Sequence, residues 1–173
     1  MAWGLKELYQ SRRNRILNDK KAAVTSTADR EISITRGFDA PRELVWQVWT
    51  EPIHIAQWWG PKGFSNTIHK MDVRPGGVWQ FIMHGSDGVD YPNKVFYHEV
   101  KKPERFFYDH GDPGEPSYFH VTVTFDDVAG KSKLTMTMLF TTAEERNLVA
   151  EKYGAVEGLK QNMEKLAEYL AKI

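Results

Sequence analysis

The spacing of apolar side chains changes twice along the chain, and each change predicts a different kind of element. Between Arg30 and Phe38, Ile32, Ile34 and Arg36 alternate with Ser33 and Thr35, the period of a strand, which ends at a glycine and an Asp-Ala-Pro turn. Pro41 then opens a helix where its missing amide is harmless, with Leu44, Val45, Val48 and Trp49 on the buried side. Glu51-Pro52 breaks that helix, and a second short one carries Ile53, Ile55 and Trp58 toward Trp59, Gly60 and Pro61. From Phe64 to Phe140 the period is two, in segments near 64–73, 77–84, 91–100, 105–110, 118–126 and 132–140, separated by turns such as Arg74-Pro75-Gly76-Gly77 and Gly85-Ser86-Asp87-Gly88. Breaks this short pair successive strands as an antiparallel meander. Trp79, Phe81 and Met83, then Phe119, Val121, Val123 and Phe125, then Leu134, Met136, Met138 and Phe140 fall on one face, which is wholly apolar.

From Ala143 to Ile173 the period becomes helical. Val149, Tyr153, Val156, Leu159, Met163, Leu166 and Leu170 recur at steps of three and four, predicting one long amphipathic helix. Thr141 or Thr142 caps its start, and Glu144 and Glu145 lie where the helix dipole favours negative charge. Gly154 and Gly158 interrupt the pattern, each at a cost of roughly 1 kcal/mol against alanine, and are expected where a strand or a ligand comes close. A strand, two short helices, six antiparallel strands and one long helix make an α+β fold in which a curved antiparallel sheet wraps around the C-terminal helix. Where the two surfaces part, an apolar pocket is expected.

Length and composition sharpen this picture. The 173 residues suffice for one domain, expected at 30–173, behind a short helix and linker at 1–29. Arg12, Arg13 and Arg15 hint at a targeting presequence, but Glu7 and Asp19 dilute it, and the expected location is cytoplasmic. With 23 basic and 23 acidic residues the formal charge is 0, which argues against a nucleic-acid partner. There is no cysteine, hence no disulfide framework or thiolate chemistry, and no apolar run approaches the roughly 20 residues of a membrane span. His54, His69, His84, His98, His110 and His120 include no i, i+4 pair, so no metal and no other cofactor is expected. The glycine pairs are hairpin punctuation rather than phosphate loops, and no serine elbow occurs.

The order of elements and several motifs resemble the START-like helix-grip superfamily, also called SRPBCC, and within it the branch of the activator of heat-shock-protein-90 ATPase homologues. The resemblance rests on Asp39-Ala-Pro-Arg-Glu-Leu-Val-Trp46, Trp49-Thr-Glu-Pro52, Gln57-Trp-Trp-Gly-Pro61, Arg74-Pro-Gly-Gly77 with Trp79-Gln-Phe81, and Tyr153-Gly-Ala-Val-Glu-Gly-Leu159, over roughly 30–173. It implies a hydrophobic cavity under the long helix, in a superfamily that reuses one cavity for carriage, sensing, cyclisation and chaperone contact.

Candidate site residues follow from the predicted faces. Trp79, Phe81, Met83, Met136 and Met138 project toward the helix and would serve equally as core or as an adaptable pocket lining. Trp58 either walls the pocket mouth or packs the short helices on the sheet. Tyr153 and Val156 supply apolar contacts from the helix, and Glu157 is a polar anchor if it points inward and a solvated flank residue if it does not. Tyr97 and Tyr108 donate into the cavity if the strand register aims them there. His120 is expected to face away from the apolar side, whereas His84 and His110 lie near strand ends where either orientation fits. The leading functional expectation is binding of a small hydrophobic ligand without catalysis. Alternatives are a cavity enzyme of cyclase or hydratase type, which needs an inward ionisable group with an oriented partner, and a chaperone-associated interaction protein. A second copy of the chain and a chaperone are further candidate partners.

Overall fold

In the computed structural model, the residues described are 28–111, 117, 119–152 and 154–173. The expected N-terminal helix and linker, and Tyr153, lie outside them. After a short 3-10 turn come β1 (Glu31–Phe38), α1 (Arg42–Thr50), α2 (Pro52–Trp58), β2 (Ser65–Met71), β3 (Val78–His84), β4 (Asp90–Lys101), β5 (Arg105–His110), β6 (Phe119–Val128), β7 (Lys131–Phe140), α3 (Ala143–Glu151) and α4 (Ala155–Leu170). The seven strands form one antiparallel sheet in the order β1-β7-β6-β5-β4-β3-β2. Strands β2 to β7 are thus the predicted meander, and β1 closes it on the β7 side. Helices α1 and α2 carry the chain from one edge strand to the other across the inner face.

Alternation sorts the sheet as predicted. On β3 Trp79, Phe81 and Met83 are buried and their neighbours are not; β6 and β7 repeat the pattern through Phe119 to Phe125 and Leu134 to Phe140. The register of β4 and β5 answers the question left for the tyrosines. A bulge between Tyr97 and Glu99 keeps Tyr97 opposite Tyr108, and both rings point inward, at 1% and 2% exposure.

The C-terminal region departs from the expected single helix. Thr142 caps α3 by accepting a hydrogen bond from the Glu145 amide at 3.1 Å, but α3 ends at Glu151. Gly154, at φ +61°, turns the backbone through the left-handed region and becomes the cap of α4. Among the described residues no atom beyond its chain neighbours lies within 4 Å of where its Cβ would stand, so its role is the turn and not a close approach. The break resets the helical phase. The buried seam of α4 runs through Ala155, Gly158, Leu159, Asn162, Met163 and Leu166. One residue is about 100° of helix rotation, so Val156 falls at the seam's edge, 40% exposed, and Glu157 falls on the far side.

Candidate functional site

Between α4 and the inner face of the sheet lies a partly enclosed cavity of about 40 Å³. Its wall is apolar: Phe81 and Met83 from β3, Phe119 from β6, Met136 and Met138 from β7, and Leu159 from α4, all buried. Tyr108 and Asn162 are its buried polar members. Trp59, Pro61, Asn93 and His110 are half-buried and form the rim, with the buried Gly60 between the first two. A water needs roughly 10–15 Å³, so the space holds on the order of three, well below the roughly 300–1,000 Å³ of a pocket for a drug-sized molecule.

Of the residues singled out in the sequence, Phe81, Met83, Tyr108, Met136 and Met138 line this space. Trp58 does not. It is fully enclosed, donates its indole N–H to the Val48 carbonyl at 3.0 Å, and meets Trp49 edge-on at 4.9 Å, which makes it the joint between α1 and α2. Its neighbour Trp59, in extended conformation at the end of α2, reaches the cavity instead, with its ring 5.2 Å from that of Trp79. Trp79 stacks on Phe81 at 4.1 Å and belongs to the aromatic core beneath the cavity, as does Tyr97, whose ring meets those of Phe106 and Tyr108 at 5.9 and 5.8 Å. Val156 and Glu157 are turned outward; Glu157 accepts a bond from the Gln161 amide at 3.3 Å and is no anchor for the cavity.

Sequence reasoning missed Asn162 as a site residue, although the signal was present: an amide three residues after Leu159 and four before Leu166 stands in the middle of an apolar stripe. It is 2% exposed, and its Oδ1 has no hydrogen-bond partner among the described residues. Leaving such an acceptor unsatisfied costs about 1–3 kcal/mol. His110, ambiguous from sequence, faces inward, its ring stacked on Phe119 at 5.1 Å. Although its edge reaches the surface, the protein packed around the ring desolvates it and lowers its pKa to about 4, so it is neutral at physiological pH. Burial raises Tyr108 well above the ordinary phenol value, with the neighbouring Tyr97 adding to the effect, and it stays protonated. No described lining residue carries a charge at neutral pH.

His54 is half-buried against Tyr169 of α4, at 2.7 Å from its hydroxyl, whereas three further histidines have carboxylate partners on the outer side of the sheet. His120 and His98 flank Asp109 from adjacent strands, the latter at 2.9 Å, and His84 sits between Asp90 at 2.6 Å and Thr67 at 2.8 Å. Among the described residues no group of three or more His, Asp and Glu side chains could hold a metal ion, and no helix is long and apolar enough to cross a membrane.

The rim is tied to α4. Lys165 points its ammonium at the carbonyls of Gly60, Pro61, Phe64 and Trp59, at 3.1, 3.4, 3.4 and 3.5 Å. The Gln161 amide oxygen accepts from the Lys62 N–H at 3.1 Å, and Lys62 pairs with Glu164 at 2.9 Å. Burial lowers the pKa of Lys165, which the charge of Glu168 partly offsets.

A curved antiparallel sheet gripping a C-terminal helix over an apolar cavity defines a helix-grip domain of the START-like, SRPBCC type. Within that class, the chain belongs to the family described as Activator of Hsp90 ATPase homolog 1-like protein, which matches residues 39–171. Solved structures agree on the fold. A protein of Arthrobacter aurescens superposes with a TM-score of 0.76 at 23% identity, over 88% of this chain and 92% of that one. One from Nitrosomonas europaea gives 0.76 at 26%, over 84% and 96%. The AHSA1 protein of Silicibacter pomeroyi gives 0.64 at 23%, over 82% and 97%. No curated protein matches the chain by sequence.

Proposed function

We propose that the protein binds a small hydrophobic molecule in the cavity between the curved sheet and α4. The observation that carries this reading is the composition of the wall, in which three methionines and two phenylalanines surround a space that the core does not fill. Methionine has an unbranched, polarizable side chain that rearranges at little cost, so a cavity of about 40 Å³ can widen around a ligand without a change of fold. The fold family supports the location, since the class places ligands between sheet and helix.

Thermal-shift measurements with a panel of small aromatic and aliphatic compounds test this reading. A ligand at 100 times its Kd stabilises the fold by about 2.7 kcal/mol, or roughly 5–10 °C in Tm for a chain of this size. Leu159→Trp fills the space and should abolish the shift while leaving the protein folded. Shifts that persist undiminished in Leu159→Trp would place binding elsewhere and end this reading.

A catalytic reading of cyclase or hydratase type is second. It is favoured by His110 and Tyr108 on the same cavity, one a neutral base at physiological pH and the other a protonated donor. Turnover of a bound compound that is lost in His110→Gln, with binding retained, is the result that would promote it.

A further inference from the structure

The cavity carries a polar group that its apolar wall leaves without a partner, and that group points to the class of ligand. This inference rests on the cavity being the binding site. Asn162 lies in the centre of the buried seam of α4, between Leu159 and Leu166, and lines the cavity with its side-chain oxygen unpaired among the described residues. A ligand entering the cavity meets few other polar groups. Asn93 already donates its amide to the Tyr91 carbonyl at 2.7 Å, and Tyr108 and His110 are neutral. No Asp, Glu, Lys or Arg is among the described lining residues.

We propose that Asn162 is the polar anchor of the cavity, its Oδ1 accepting a hydrogen bond from the O–H or N–H of a small, uncharged ligand with an apolar body. A bond formed there satisfies a buried acceptor on the protein and a desolvated donor on the ligand together, which gives it more weight than the same bond at the surface. A carboxylate or phosphate brings acceptors to the Asn162 oxygen and a buried charge to a wall without a counter-charge, and the phenol O–H of Tyr108 does not offset that charge, so anionic amphiphiles such as fatty-acid carboxylates are disfavoured. An ammonium loses its hydration for one neutral oxygen and is disfavoured for the same reason. Phenols, alcohols, indoles and aromatic amines have the required chemistry.

The test compares phenol, its methyl ether anisole and the benzoate anion by NMR titration of protein carrying 13C-labelled methionine methyls. The Met83, Met136 and Met138 methyls report occupancy of the cavity itself. For the wild-type protein, phenol should bind about tenfold more tightly than anisole, the ratio expected for one buried hydrogen bond, and benzoate should bind most weakly. Asn162→Leu, close in shape, should bring phenol down to the level of anisole while anisole binds as before. Asn162→Ala provides the same comparison if leucine does not fold. Equal affinities of phenol and anisole in wild type, a preference for phenol that survives in both variants, or tighter binding of benzoate would each overturn the anchor while leaving the cavity reading intact. Absence of methyl shifts with all three probes in wild type would overturn the cavity reading, and the anchor with it.

Discussion

Acid should destabilise this protein in a way that is traceable to one side chain. His110 is packed against Phe119 at the cavity rim, and desolvation lowers its pKa from about 6.5, the unfolded value, to about 4 in the fold. Between those values the unfolded chain takes up a proton that the folded chain refuses. The stability contribution of the neutral ring is therefore fully present above pH 6.5, falls by about 1.4 kcal/mol per pH unit below it, and is lost by pH 4. At pH 4.5 the loss from this group alone reaches about 2.5 kcal/mol relative to pH 7, which for a domain of this size is roughly 5–10 °C in Tm. Other titrating groups contribute too, so the informative quantity is a difference. Urea unfolding of wild type and His110→Gln at pH 7.0 and 4.5 gives it, since glutamine retains polarity without titrating. The variant should lose about 2.5 kcal/mol less stability than wild type over that interval. Parallel pH profiles would show that the imidazole accepts its proton in the folded protein, and the argument from desolvation would be wrong.

Other expectations concern the frame of the site. A Cβ at Gly77 would lie 2.0 Å from the Asp72 carbonyl oxygen, so Gly77→Ala should cost roughly 2–4 kcal/mol in urea unfolding, whereas Gly76→Ala, at φ +79° with open space around it, should cost only about 1–2 kcal/mol. Lys165→Met removes a cation shared among carbonyls of the rim and should lower stability by about 2 kcal/mol, with faster amide hydrogen exchange confined to residues 59–64. Thr142→Ala, which deletes the α3 cap, should cost about 1 kcal/mol, measurable as a Tm decrease of a few degrees.

Most of the fold was legible because its signals are local and repeated. Each strand shows its alternation over seven or more residues or ends at an unmistakable turn, and a sheet with one apolar face and one long partner helix has few ways to close. What escaped reading depends on single residues. Gly154 looked like a costly interruption of one helix; it is the left-handed junction of two, and that change of phase moved Val156 and Glu157 off the buried seam. Trp58 and Trp59 are adjacent and chemically identical, so only the point where α2 ends decides that the first enters the core and the second reaches the cavity. The aim of Tyr97 and Tyr108 hung on a bulge that period-two counting does not detect. Asn162 broke the apolar pattern openly, yet a polar residue in a helical stripe is noticed only when the stripe is known to face a space.

The contacts of Lys165 constrain how that space can change shape. Rim and helix are joined through one ammonium, with the Lys62–Gln161 and the more exposed Lys62–Glu164 contacts beside it, so residues 59–64 are tied to α4 at more than one point. A gate that swung open at Gly60-Pro61 would first have to break the cation away from its carbonyls. The compliant side of the cavity is then the opposite one, where Met83, Met136 and Met138 hang from β3 and β7 on flexible stems. On the proposed binding reading, a guest molecule would enter by displacing side chains on the sheet, with the helix and its attached rim as the anvil against which it is pressed.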